Sequence, residues 1–301
     1  MIQPDMITLD SGDFLMGSQR HYPEESPTMR TSVASFELAA TAVTNAQFSA
    51  FVQDTGYVTV AERPLPAADF PSLNPDELEA GSLVFQPTDG PVDLRDWRAW
   101  WKFQRGACWT LPRGLGSSIE TLGAHPVVHI AYEDAEEYAR WLGARLPTEP
   151  EWEYAARGGL EQATYAWGEA PNTPGGRFAK TWQGRFPFEN EAEEWPYTAP
   201  VGEYPPNGFG LFDMTGNTWE WTSSVWTPRH DAGGGSEADA SCACSPQQFA
   251  PASTRGRVTK GGSHLCSPAY CLRYRPAART RQTEDSSTSH LGFRIARSTS
   301  A

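Results

Sequence analysis

Two cysteines five residues apart stand behind a glycine pair in the segment Lys260-Gly-Gly-Ser263-His264-Leu-Cys266-Ser-Pro-Ala-Tyr270-Cys271-Leu-Arg273-Tyr-Arg275. That spacing lets both sulfurs converge on one small target. Thiolate is a soft ligand that selects Cu(I), zinc or iron–sulfur centres over hard cations, and two thiolates without a nearby third ligand match Cu(I) best. Zinc wants four ligands, which Cys242, Cys244 and His264 could help to supply, so a structural zinc site stays open. A disulfide between Cys266 and Cys271 is the plainer alternative, and the spacing does not forbid it. Ser263, three residues before the first thiol, is either a hydroxyl donor to the thiol site or a turn residue after Gly-Gly.

Other residues invite metal or redox readings that the pattern does not favour. Cys242-Ala-Cys244 is either a copper-delivery or redox pair or an incidental pair of thiols, and a one-residue gap argues against a mutual disulfide. Cys108 beside Trp109 reads as a small buried residue. His125 and His129 in His125-Pro-Val-Val-His129 read as separate packing positions along a strand, and neither is assigned to metal.

The elements that position these residues are few. The chain holds 27 Gly and 25 Pro, which interrupt it every few residues. Three helices are expected. Thr44 or Asn45 caps the first, which carries Phe48, Phe51 and Val52 on one face and ends at Gly56. Ala135, Tyr138, Ala139 and Leu142 form the stripe of the second, which stops at Gly143. Thr148-x-x-Glu151 opens the third as a capping box with Pro150 in its first turn, and Gly158 ends it. Val127-Val-His-Ile130 reads as a short buried strand. With 12 Trp, 14 Phe and 10 Tyr, the core is expected to be aromatic packing under long loops.

Composition excludes several classes of partner. No linker divides the 301 residues, so residues 1–301 are read as one domain. No stretch approaches the roughly 18 apolar residues of a membrane span, and the first residues lack a basic and then apolar leader; the chain is expected to be soluble and cytoplasmic, without a membrane partner. A formal charge of −13 disfavours nucleic acid and suits a basic peptide. Five cysteines without a regular framework argue against a disulfide-stapled secreted fold.

The thiol segment, continuing through Pro276-Ala-Ala-Arg279 and closing with Asp285-Ser-Ser-Thr-Ser-His290-Leu-Gly-Phe-Arg294, resembles the C-terminal signature of the formylglycine-generating enzymes, the sulfatase-modifying factors. Further blocks follow in family order: Phe14-Leu-Met-Gly17, Val43-Thr-Asn-Ala-Gln-Phe48, Thr55-Gly-Tyr-Val-Thr59, His125-Pro-Val-Val-His129, Arg145-Leu-Pro-Thr-Glu149, Glu151-Trp-Glu-Tyr-Ala-Ala-Arg-Gly-Gly159, Asn207-Gly-Phe-Gly210 and Gly216-Asn-Thr-Trp-Glu-Trp221. The resemblance runs from about residue 10 to residue 296. It implies an α+β fold related to C-type lectins, with sparse secondary structure.

It also implies a reaction and the residues for it. The reaction is copper- and O2-dependent oxidation of a cysteine, in a Cys-x-Pro-x-Arg motif of an unfolded sulfatase or peptide, to Cα-formylglycine with a thiol reductant. Cys266 and Cys271 match the Cu(I) ligands, and Ser263 the oxygen-pocket donor. Trp219 matches a family tryptophan that packs on the substrate proline, and Tyr270, between the two thiols, is placed to line the same groove; both are equally readable as core aromatics. His290 stands where relatives often carry Asn and is a candidate contact to the substrate backbone, and Ser82 falls near the position that helps bind the substrate arginine. The acid expected beside Ser82 is Gly81 here, so Asp69, Asp76 or Glu79 is a candidate substitute. Asp213, Gly216, Thr218 and Glu220 match ligands of a structural Ca2+, whose hard oxygen donors suit that cation. A second family calcium position carries Lys180, whose ammonium cannot ligate a cation, so one calcium is expected rather than two. The rival readings are an oxidase of another thiol or phenol, and a binding module on the same scaffold, since fold does not fix function.

Overall fold

In the computed structural model the residues described are 3–68, 74, 78–171, 177–192, 194–231 and 255–299. Asp69, Asp76, Cys242 and Cys244 lie outside them.

The three helices form where the sequence places them, each for a local reason. In α1 (Asn45–Thr55), Thr44 accepts from the Gln47 N–H while Gln47 caps the Thr44 N–H in return, and Gly56 ends the helix in the left-handed region. The helix α2 (Tyr132–Trp141) buries Tyr132, Ala135, Tyr138 and Ala139, and stops one residue short of the expected Leu142. In α3 (Glu149–Arg157), the Thr148 hydroxyl accepts from the Glu151 N–H at 3.3 Å and the Glu151 carboxylate accepts from the Thr148 N–H at 2.8 Å. Gly158 ends it with φ 55°.

The strands are short. Strands β1 (Met6–Leu9), β4 (Phe36–Ala39) and β11 (Ala296–Ser298) make a three-stranded antiparallel sheet that joins the two ends of the chain. Strands β2 (Gly12–Met16) and β3 (Met29–Val33) form one two-stranded sheet, and β5 (Gly81–Phe85) with β6 (Trp101–Arg105) another. The fourth sheet has the order β10-β7-β8-β9, from Leu291–Gly292, Trp219–Val225, Gly256–Lys260 and Arg279–Thr283. Its β8–β9 pairing brackets the thiol segment, because Lys260 and Arg279 stand opposite one another in register. This mixture of helices and small sheets is the α+β class.

One expected strand is absent. Residues 127–130 are buried as foreseen, yet His129 has φ 62°, a left-handed conformation that breaks the pleat. The segment instead bridges two others: Val127 N–H donates to Val43 O and His129 N–H to Thr288 O, both at 2.9 Å.

The core is aromatic. Phe48 contacts Phe51, Trp109, Tyr138 and Phe293 at ring-centroid distances of 5.2–6.4 Å. Cys266 and Cys271 belong to the same apolar cluster, together with Trp219 and Tyr274. Residues of α1 and α2 pack into this cluster, so helix stability and the thiol environment share one set of contacts. Replacing Thr148→Ala is expected to cost about 1 kcal/mol, measured as a lower denaturant midpoint, with the Glu151 capping bond left without its partner.

Candidate active site

The thiol loop begins where β8 ends. Gly261 and Gly262 adopt φ 94° and 71°, conformations that side chains strain to reach. At Gly262 there is a second reason for glycine, since a Cβ there would lie 2.9 Å from the backbone of Arg273 and Tyr274. The two halves of the loop therefore touch backbone to backbone. Cys266 N–H donates to Ser263 O at 2.9 Å and Cys271 N–H to Ser267 O at 2.7 Å. The two sulfurs end 3.2 Å apart, both wholly buried, as free thiols and not a disulfide.

That contact divides the pair chemically. Burial opposes a thiolate at Cys266, but the Cys271 thiol, the N–H groups of Ser263 and Arg273 and the Arg273 charge outweigh it, so its pKa is lowered. At Cys271 burial, then the hydrogen bond and charge of Cys266, push the pKa well above the ordinary thiol value. The two thiols therefore titrate as a coupled pair, Cys266 ahead of Cys271. Two soft donors this close can touch a single metal ion, and among the described residues no third Cys or His forms a cluster with them. The donor set fits Cu(I).

Beneath the loop lies a row of buried ion pairs. Arg273 meets Glu24, Arg275 meets Glu25 in a two-pronged contact, and Arg279 meets Glu149 at 2.7 Å. Glu149 is held well below the usual carboxylate range; burial opposes that, but Arg279, His230 and Lys260 prevail. Tyr22 joins the row: its ring lies 3.9 Å from the Arg273 guanidinium, and its hydroxyl accepts from the Leu272 N–H at 3.1 Å. None of Tyr22, Glu24, Glu25 or Glu149 emerged as a site residue from the sequence. The available signal was the adjacent pair Glu24-Glu25, matched by the alternate Arg273-x-Arg275.

The expected substrate residues gather near the thiols but are mostly covered. Ser263 is buried, and its hydroxyl accepts from the Leu265 N–H at 3.3 Å, the turn role. Tyr270 is partly exposed and stacks on Phe186 at 4.4 Å and 6°. His290 is buried against Trp101 at 4.7 Å, with Nδ1 lacking a partner among the described residues. Trp219 is buried in the thiol cluster, and its N–H is also without a partner among the described residues. Ser82 is fully buried: it donates to Ser287 O at 2.7 Å and meets His129 Nδ1 at 2.7 Å. Its hydroxyl is occupied inside the protein. Glu79 pairs with exposed Arg105 at 3.2 Å. His129 Nε2 meets Pro112 O at 2.8 Å and His125 Nδ1 meets Thr198 Oγ1 at 3.1 Å, so these imidazoles serve packing. Cys108 is buried and contacts Thr110 Oγ1 at 3.2 Å.

The calcium set divides. Asp213 adopts φ 51° and is buried; Oδ2 accepts from the Gly202 N–H at 2.7 Å while Oδ1 has no partner among the described residues, and burial raises its pKa to about 6. An orphaned buried carboxylate oxygen fits a hard cation. Glu220 does not fit: its two oxygens take Arg294 at 2.7 and 2.8 Å, and Oε2 also takes the Trp152 N–H at 2.7 Å. Lys180 is buried, and its amine donates to Trp195 O.

Residues 2–299 match the sulfatase-modifying factor enzyme 1-like domain. A formylglycine-generating enzyme of Mycobacterium tuberculosis is 53% identical over 293 residues, covering 96% of each chain. One from Streptomyces coelicolor is 45% identical over 298 residues, covering 96% of this chain and 88% of that one. The solved structure of PvdO from Pseudomonas aeruginosa superposes with a TM-score of 0.64 at 22% identity, over 98% of this chain and 95% of the other, and shares the fold. The chain belongs to the sulfatase-modifying factor family.

Replacing Glu25→Gln leaves the Arg275 charge buried without a counter-ion, and is expected to cost about 3–5 kcal/mol of unfolding free energy. Asp96→Asn, at an exposed pair with Arg98, is expected to cost less than about 1 kcal/mol. Urea unfolding of the two variants beside the parent checks both.

Proposed function

We propose that this chain is an oxidoreductase that converts a cysteine, within a Cys-x-Pro-x-Arg motif of a sulfatase, to Cα-formylglycine with Cu(I) and O2. The observation that carries the reading is the pair of free buried thiols, 3.2 Å apart, in a chain so close to relatives that bear this enzyme's name. The overall change is R–CH2–SH + O2 + 2 e− + 2 H+ → R–CHO + hydrogen sulfide + water, with the two electrons coming from a thiol reductant. Copper held by Cys266 and Cys271 supplies the one-electron O2 chemistry that side chains cannot perform unaided.

The rest is work for the protein's own groups. Cys266, the more acidic of the pair, loses its proton first, and the Arg273 charge with two backbone N–H groups stabilises the anion. Both thiols are wholly buried, so covering side chains must shift before a peptide sulfur reaches them. Tyr270, partly exposed, packs against the thiol cluster and rests on Phe186, so it is one of the side chains that have to give way. Ser263 keeps its hydroxyl proton free while its oxygen holds the turn, and that proton is available to an oxygen species in the pocket. The calcium reading rests on Asp213 for its side-chain ligand, because Glu220 is taken up by Arg294.

The deciding measurement is mass spectrometry of a Cys-x-Pro-x-Arg peptide incubated with Cu(I)-loaded protein, O2 and a thiol reductant. A loss of about 18 Da, the covalent change from cysteine to formylglycine, is expected with the parent and not with Cys266→Ser or Cys271→Ser. An unchanged peptide with copper bound would sink the substrate assignment. For calcium, adding excess Ca2+ to chelator-treated protein is expected to raise the melting temperature by a few degrees, the size of about 1–3 kcal/mol of linkage. The gain disappears in Asp213→Asn, and metal analysis after dialysis returns one calcium per chain.

A further inference from the structure

Seven lysines and arginines are buried among the described residues. Six of them face a carboxylate within ion-pair distance: Arg157 and Lys260 share Glu153, Arg273 has Glu24, Arg275 has Glu25, Arg279 has Glu149 and Arg294 has Glu220. Lys180, only 2% exposed, is the exception. Its amine meets one backbone carbonyl, that of Trp195, which satisfies one of three N–H donors.

The amine lies at a cavity of about 410 Å3, whose lining includes Arg177, Gln183, Glu194, Glu203 and Tyr204. Arg177 forms no ion pair with any described residue, and no side-chain hydrogen bond holds Gln183 or Tyr204 among them. The two glutamates are exposed and neither pairs with Lys180. Burial first, and the positive charge of Arg177 second, push the Lys180 amine down to about 8. A buried cation that meets no carboxylate within ion-pair distance among the described residues costs free energy until an anion joins it.

We propose that this cavity is a binding site for a small tetrahedral oxyanion, phosphate or sulfate, held by Lys180 and Arg177. Lys180 supplies the buried point charge. Arg177, at the mouth, supplies the planar fork that matches two oxygens of such an ion. Gln183 and Tyr204 offer neutral donors on the same wall. The cavity exceeds one bare ion, so it admits either the free ion or the headgroup of a small phosphate or sulfate ester. The site is separate from the thiol pair, and it stands or falls without the oxidation proposed above.

The test is calorimetric titration of the full chain with inorganic phosphate, sulfate and glycerol phosphate, ionic strength being held constant with sodium chloride. Saturable binding is expected in the parent. It weakens by about tenfold or more in Lys180→Gln, the loss of one charged hydrogen bond, and by several-fold in Arg177→Gln. It is unchanged in Lys102→Gln, whose lysine is exposed on β6. Tighter binding of glycerol phosphate than of inorganic phosphate assigns the site to an esterified headgroup; equal or weaker binding assigns it to the free ion. No saturable heat from any of the three, or equal affinity in the parent and Lys180→Gln, overturns the proposal. Should Lys180→Gln fail to fold, Arg177→Gln decides, since that side chain is exposed and its loss breaks no ion pair among the described residues.

Discussion

Everything around the thiols depends on buried arginine–carboxylate pairing. A guanidinium inside a protein is stable only with its counter-charge, and removing one partner costs several times what an exposed pair contributes. Arg273, Arg275 and Arg279 each find that counter-charge on a distant segment: Glu24, Glu25 and Glu149. The loop between β8 and β9 has no regular structure of its own to hold it. Its shape is set by where its arginines are allowed to be neutralised.

The same pairing governs the electrostatics of the loop. Arg273 balances Glu24 yet still acts on both sulfurs, favouring a thiolate at each against the effect of burial. Tyr22, its ring over that guanidinium, covers the pair and ties the loop backbone through Leu272. Above them the stack of Tyr270 on Phe186 continues into Trp100, Phe85 and Trp182. A charged floor and an aromatic roof thus enclose two small soft donors. Their proximity comes from Gly262, where Arg273 backbone occupies the space a side chain would need.

Much of this was legible in the sequence where the physics is local. The capping boxes at Thr44 and Thr148 and the left-handed glycines Gly56 and Gly158 depend on neighbours within a few residues, and they stand where expected. Residues 127–130 misled because burial and apolar character do not distinguish a strand from a segment that turns left-handed at His129. The thiol pair was legible as a motif, but its floor was not, since Glu24 and Arg273 lie 249 positions apart. The pairing of Glu220 was equally hidden: spacing offers its carboxylate to a cation, and only the fold brings Arg294 against it. The buried, unpaired state of Lys180 is likewise a property of its surroundings, which no local pattern encodes.

The 250-residue separation between Glu25 and Arg275 also sets a schedule. Synthesis delivers the acidic partners first and the thiol segment some 250 residues later, while β1 and β4 wait for β11 to complete their sheet. Long-range closures of this kind form late and expose unpaired surface meanwhile. During that interval Cys266 and Cys271 are ordinary accessible thiols, open to any oxidant or soft metal the nascent chain encounters. Their sheltered pairing is therefore an achievement of the folded chain, and the thiols meet their surroundings on selective terms only once Arg273 and Arg275 have reached Glu24 and Glu25.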